Sequence, residues 1–126
     1  MANSIMFLGD SITELDWQGG FRAYLYKALS DSGHTFSFVG SRTTNHNTPN
    51  TEGWDFPEAY WYHEGVNGRA AFQWLPLMLV ALTANPDILV MQIGTNDIAN
   101  GSRTEAQITA DIRNMFLTAW QNNVNT

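Results

Sequence analysis

Ser11 stands in Gly9-Asp10-Ser11, directly after the apolar run Ile5–Leu8. A serine hydroxyl attacks a carbonyl only when a base relieves it of its proton, so a reactive Ser11 needs a histidine or an equivalent group within reach. A second polar cluster, Gly94-Thr95-Asn96-Asp97, follows another apolar run, Ile88–Ile93. Asn96 brings an amide to that cluster. Asp10 and Asp97 suit acceptors that fix loops through backbone N–H groups, and neither suits a catalytic acid. The competing reading of Ser11 is structural, since a serine between a strand and a helix is commonly an N-cap. The histidines are His34, His46 and His63, and there is no cysteine. That removes a Cys nucleophile, thiolate zinc sites and disulfides together.

For the two clusters to act together, the elements beneath them must bring their ends side by side. Ile5–Leu8 is apolar on both faces, the character of a strand buried in a parallel sheet. Phe21, Tyr24, Leu25, Ala28 and Leu29 keep helical spacing, and Gly33 supplies a stop. Phe36–Val39 predicts a second strand. The stretch from about Ser41 to Glu64 has no clear period and predicts a long loop. Ala70–Leu82 is apolar nearly all round and predicts a buried helix, kinked or restarted at Pro76. Asn85-Pro86-Asp87 marks a turn before a third strand, Ile88–Ile93. Thr104-Glu105-Ala106-Gln107 has the form of a capping box, and Ile108, Ile112, Met115, Phe116 and Ala119 mark one face of the helix behind it. Strand and helix alternate three times, which predicts an α/β fold on a parallel sheet. With the second strand on one side of the first and the third on the other, a crevice opens between the carboxyl ends of strands one and three. Ser11 and Asn96 then face the same cleft.

Composition narrows the classes. At 126 residues the chain is long enough for one domain with a real core, and its five Trp, seven Phe and four Tyr argue for a packed globule. A net charge of −6 without a basic cluster gives nucleic acid nothing to hold. No apolar run approaches the roughly 18 residues of a membrane span, so no membrane partner is expected. No basic segment followed by an apolar stretch opens the chain, so no signal peptide is expected. Neither G-x-G-x-x-G nor G-x-x-x-x-G-K-[ST] occurs, which leaves a nucleotide-binding reading without its phosphate cradle.

Three short motifs occur in order: "GDSIT" after the first strand, the glycine of "HEGVNGRAA", and "GTND" after a later strand. They resemble blocks I, II and III of the SGNH (GDSL-type) hydrolases. "FVGSRTTN" followed by "HEGVNG" further resembles the acetylxylan-esterase-like carbohydrate esterases in that group. The likeness runs over essentially the whole chain. It implies a flavodoxin-like parallel sheet with flanking helices, with residues 1–126 forming the N-terminal portion of one such domain and lacking its C-terminal strands. It implies an esterase that uses no metal or organic cofactor, with a small-molecule or carbohydrate ester as substrate. Ser11 would be the nucleophile, and its own N–H, the Gly68 N–H and the Asn96 amide would form the oxyanion hole. The residue types suit that work, because fixed donors around a developing oxyanion are worth roughly 3–4 kcal/mol each. Glycine at 68 would let the backbone approach closely, and a helix starting near Ser11 would add a favourable dipole.

In that family the activating His and its orienting Asp lie in a D-x-x-H block near the C-terminus, and this sequence has none there. His34 is expected to be solvated at a helix–strand turn and His46 in a polar loop. His63, five residues before Gly68, could approach the cleft, with loop hydrogen bonding as the stronger alternative. The chain is therefore expected to be a fragment of a longer esterase, or a truncated form with impaired catalysis. "ILVMQI" is apolar on both faces and would leave an unprotected sheet edge, so a C-terminal fragment or another copy is expected to cover it. Asp10, His63, Trp54 and Trp61 are placed on the substrate side. The aromatic segment 54–62 suits stacking on sugar rings and equally suits covering the sheet. The rival class is a non-catalytic carbohydrate- or acyl-binding module that keeps the cleft without the base. The compartment stays open, although secretion is common among the proteins it resembles.

Overall fold

The computed structural model describes residues 3–14, 20–44, 54–122 and Val124. At its centre lies β1 (Asn3–Gly9), whose Met6, Phe7 and Leu8 are fully buried. Side chains alternate across a strand, and here the alternation sorts two cores. Ile5 and Phe7 face one layer of helices, whereas Met6 and Leu8 face the other. β2 (Phe36–Val39) and β4 (Ile88–Gln92) both pair in parallel with β1 at Ile5 and Met6, which puts them on opposite edges. β3, only Glu64–Gly65, pairs with Leu8 and Gly9 and continues the edge begun by β2.

On one face, α2 (Gly20–Asp31) and the 3-10 turn Glu58–Tyr60 bring Phe21, Leu25, Tyr26, Leu29 and Tyr60 onto Phe7, Phe36 and Phe38. The Phe7 and Phe38 rings meet edge to face at 4.8 Å. On the other face lie α3 (Ala71–Trp74), α4 (Met78–Ala81) and α6 (Glu105–Gln121). Their Trp74, Met78, Met115 and Ala119 close over Met6, Leu8 and Leu89. The predicted capping box opens α6: Gln107 N–H donates to Thr104 Oγ1 at 3.3 Å, and Thr104 N–H donates to Gln107 Oε1 at 2.9 Å. Two short helices, α1 (Ser11–Glu14) and α5 (Thr95–Ala99), sit at the carboxyl ends of β1 and β4.

Three expectations change. The segment 70–82 is neither one helix nor buried all round: it breaks into α3, a 3-10 turn at Leu75–Leu77 and α4, and leaves Leu79 63% and Val80 68% exposed. Pro76 has no N–H to give an α-helical ladder, and the chain tightens there instead. β3 was hidden inside the expected loop because two residues, one of them glycine, carry no periodicity. Its neighbour β1 defines it, together with the antiparallel bridge between Arg42 and His63. On α2, Tyr24 and Ala28 turn outward while Arg22 and Ala23 are buried. Among the described residues nothing pairs with the outer edge of β4. α6 also presents an open groove of 580 Å³ lined by Ile112, Phe116, Leu117 and Trp120.

Candidate functional site

β1 ends at Gly9 and the chain turns straight into α1. Asp10 is fully buried; its Oδ1 accepts the Ile12 N–H at 2.9 Å, and its carbonyl accepts the Thr13 and Glu14 N–H groups at 3.1 and 3.0 Å. Asp10 therefore caps α1, and Ser11 is the first helical residue. That removes the N-cap reading of Ser11. Its hydroxyl is exposed and has no hydrogen-bond partner among the described residues. Because α1 is a single turn, the expected macrodipole is small and only its individual N–H groups count.

The turn after β3 is fastened to the same place. Val66 N–H donates to the Gly9 carbonyl at 3.1 Å, and the Trp74 indole N–H donates to that carbonyl at 2.9 Å. Asn67 N–H donates to Glu14 Oε2 at 2.5 Å, and Arg69 N–H closes the turn on the Val66 carbonyl at 3.1 Å. Between them Gly68 is exposed at φ +75°, with nothing within 4 Å of where a Cβ would stand. Its left-handed backbone by itself accounts for a glycine at this position. Its N–H has no partner among the described residues.

The tip of β4 completes the arrangement. Asn96, in the first turn of α5, donates from Nδ2 to the Arg69 carbonyl at 3.0 Å. Asp97 is fully buried and accepts the Ala71 N–H on Oδ2 at 2.8 Å. β1 and β4 run in parallel register through Gly9 and Gln92, so Ser11 and Asn96 leave the same end of neighbouring strands. Three motifs separated in sequence thus converge on one end of the sheet, tied by hydrogen bonds between their own backbones and side chains.

Other candidates land elsewhere. Asp10 and His63 were placed on the substrate side, but both are fully buried and committed to the chain's own backbone. His63 Nδ1 accepts the Gly65 N–H at 2.9 Å while Nε2 faces the Thr44 carbonyl at 3.0 Å. A neutral ring protonated on Nε2 satisfies both contacts. Burial, and then the positive charges of Arg22 and Arg42, push its pKa down to about 4. His63 is a loop-fixing residue. In the aromatic segment, Phe56 and Tyr60 belong to the core around α2, Trp54 meets Tyr24 edge to face at 5.7 Å, and the Trp61 indole donates to the Phe56 carbonyl at 2.8 Å. Asp31-Ser32-Gly33-His34 has the letters of a D-x-x-H block, yet it lies just before β2, at the opposite end of the parallel strands from Ser11. His46 lies outside the described residues. Among the described residues no group of three or more His, Asp or Glu could hold a metal ion.

Two residues of this site escaped the sequence. Arg22 is fully buried and donates to three carbonyls: Thr13 at 3.1 Å, Glu14 at 3.1 Å and Trp61 at 2.9 Å. Burial lowers its pKa to about 10, against the opposing pull of Glu14, so it stays a cation at neutral pH. Glu14 carries the second half of an S-x-x-E signature, the one available signal, and uses it to reach Asn67 instead of a cap.

The parallel sheet, its flanking helices and the polar tips of β1, β3 and β4 define an α/β fold of the SGNH type. The model of the GDSL-like Lipase/Acylhydrolase family matches residues 7–126, and the chain belongs to that family. Among solved structures it is similar to a carbohydrate esterase family 3 protein from Talaromyces cellulolyticus, at 27% identity and a TM-score of 0.77 over 98% of this chain. A family 3 carbohydrate esterase of Clostridium thermocellum follows at 29% identity and 0.75, again over 98% of this chain. A serine-to-alanine mutant of an acetyl esterase with acetate ion aligns at 25% identity and 0.77 over the same share. The chain spans 57%, 59% and 57% of these three proteins. Among curated protein sequences none matches it.

Proposed function

We propose that this chain supplies the nucleophile and oxyanion hole of a serine esterase that removes acyl or acetyl groups from carbohydrate. The observation that carries the reading is the convergence of Ser11, Gly68 and Asn96 at one end of the sheet, held by the Val66–Gly9 and Asn96–Arg69 hydrogen bonds. In this reading Ser11 Oγ attacks the ester carbon and the alcohol departs with a proton. Water then cleaves the acyl-serine. The Ser11 and Gly68 N–H groups are unclaimed by the described residues, and Asn96 has a second N–H beyond the one given to Arg69. These three would receive the oxyanion. His63 is locked and His34 lies at the far end, so the base is assigned to polypeptide outside the described residues. The same polypeptide, or a second copy, is assigned to cover the outer edge of β4. Carbohydrate is favoured because two of the similar structures are named as carbohydrate esterases.

The test is covalent. A fluorophosphonate should add to the chain at Ser11, seen by intact mass, with no addition to Ser11→Ala and on the order of hundredfold slower addition to Asn96→Ala. Sugar binding without labelling or turnover would replace the esterase with a binding module.

A further inference from the structure

α1 is one turn long, and a helix of four residues has no stability of its own. It must be held from outside, and three contacts hold it. The first is steric: β3 lies directly against it, so that a Cβ added to Gly65 would stand 2.5 Å from Glu14 N and 2.8 Å from both Glu14 Cα and the Thr13 carbonyl carbon. The second is Arg22, whose guanidinium takes the Thr13 and Glu14 carbonyls left open at the end of the helix. The third is the Glu14 side chain, 11% exposed, which reaches back across β3. Its Oε2 accepts the Asn67 N–H at 2.5 Å, while its Oε1 meets Arg42 at 3.2 Å and Thr44 Oγ1 at 3.3 Å. Asn67 is the residue before Gly68, and Ser11 is three residues before Glu14.

We propose that Glu14 is a positioning residue: its carboxylate couples the helix that carries Ser11 to the turn that carries Gly68. The inference rests on the role assigned to Ser11 above. Two oxyanion donors on separate segments serve one oxygen only if the segments are fixed relative to each other, and among the described residues this carboxylate is the side-chain link between them. Arg42 and Thr44 occupy its other oxygen and hold it in the orientation that reaches Asn67.

The experiment compares the unaltered chain with Glu14→Gln, which keeps shape and removes charge, at a temperature where both are folded. Amide exchange at Thr13, Asn67 and Arg69 should quicken on the order of tenfold, while Met115 and Ala119 in α6 stay within about twofold. Fluorophosphonate addition at Ser11, in which an O–P bond forms and fluoride leaves, should slow on the order of tenfold, less than the hundredfold of losing a donor outright. Thr104→Ala, which loosens the remote α6 cap, should leave that rate within about twofold, so lost stability alone does not account for the effect. Should Glu14→Gln fail to fold, Glu14→Asp keeps the charge on a shorter arm and should react at an intermediate rate. Unchanged exchange at Asn67 and Arg69, or an unchanged addition rate, overturns the proposal. An unaltered chain that takes no label at Ser11 sinks the nucleophile reading instead, and the exchange comparison still decides whether Glu14 couples the two segments.

Discussion

His63 gives the chain a stability that should fade as the solution becomes mildly acidic. The ring is fully buried, and its Nδ1 accepts the Gly65 N–H, so a second proton would both charge a dry site and break that bond. Arg22 and Arg42 face it with positive charge, and Glu14 opposes them only in part. Its pKa falls from 6.5 to about 4 on folding. The unfolded chain thus binds the proton more readily than the folded one. The sign follows: the contribution is complete above the unfolded value, and it is lost as the pH falls from 6.5 toward 4. Between about pH 7.5 and about pH 5.5 the loss from this residue works out to about 1 kcal/mol, and by about pH 4 to about 3 kcal/mol. Urea unfolding followed by tryptophan fluorescence at the two milder pH values measures it, since ordinary carboxylates scarcely titrate there. His63→Asn keeps a side-chain acceptor near the Gly65 N–H and cannot titrate. It should lie below the unaltered chain at the higher pH and lose little more on acidification. If both chains lose stability equally, burial of a neutral His63 is the wrong explanation.

Further outcomes follow from the same contacts. Gly33 and Gly68 share a left-handed backbone, φ +73° and +75°, and open space where a Cβ would go. Alanine at either should cost about 1 kcal/mol in urea unfolding, and only Gly68→Ala should slow labelling of Ser11. Gly65→Ala meets backbone atoms that cannot rotate away. It should cost about 1–3 kcal/mol by the same assay, and a change within about 0.5 kcal/mol would contradict the seating of α1 on β3. Light scattering after size exclusion should find the chain associated with a copy of itself or with complementary polypeptide, and a monodisperse monomer would contradict a covered β4 edge.

The frame was legible because its signals are local and redundant. β1 and β4 show as apolar runs, β2 as an apolar stretch closed by glycine, and the α6 box as four letters, while the strand order was one of the few that parallel crossovers allow and the structure selects it. What escaped was set by partners distant in sequence. β3 has two residues and exists through β1. The exposed faces of Leu79 and Val80 are invisible to a count of apolar letters, because a run that is apolar all round does not say which side meets the sheet. Arg22 carries no signal in the sequence; only the fold shows it buried under three carbonyls. The motif letters placed Ser11 and Asn96 at neighbouring strand tips. They did not show that Asp10 and His63 would be sealed from any substrate.

The charged letters of the motifs and the open donors divide the labour between them, and the division bears on the base the proposed reading requires. Asp10, Glu14 and Asp97 are buried, and a buried carboxylate is costly unless N–H groups satisfy it. Each takes a backbone N–H: Asp10 from Ile12, Glu14 from Asn67 and Asp97 from Ala71. The last two tie segments far apart in sequence. Those bonds, with Asn96 on the Arg69 carbonyl, place Ser11, Gly68 and Asn96 without passing through any histidine at the cleft. On the proposed reading, the geometry that would receive an oxyanion therefore does not depend on the group that would activate Ser11. In serine hydrolases stripped of a triad member, such a hole with binding alone leaves roughly 10³–10⁴-fold acceleration over water. A chain with this frame and no base should then hydrolyse an activated aryl ester slowly, with a rate that Asn96→Ala lowers and His63→Asn leaves nearly alone.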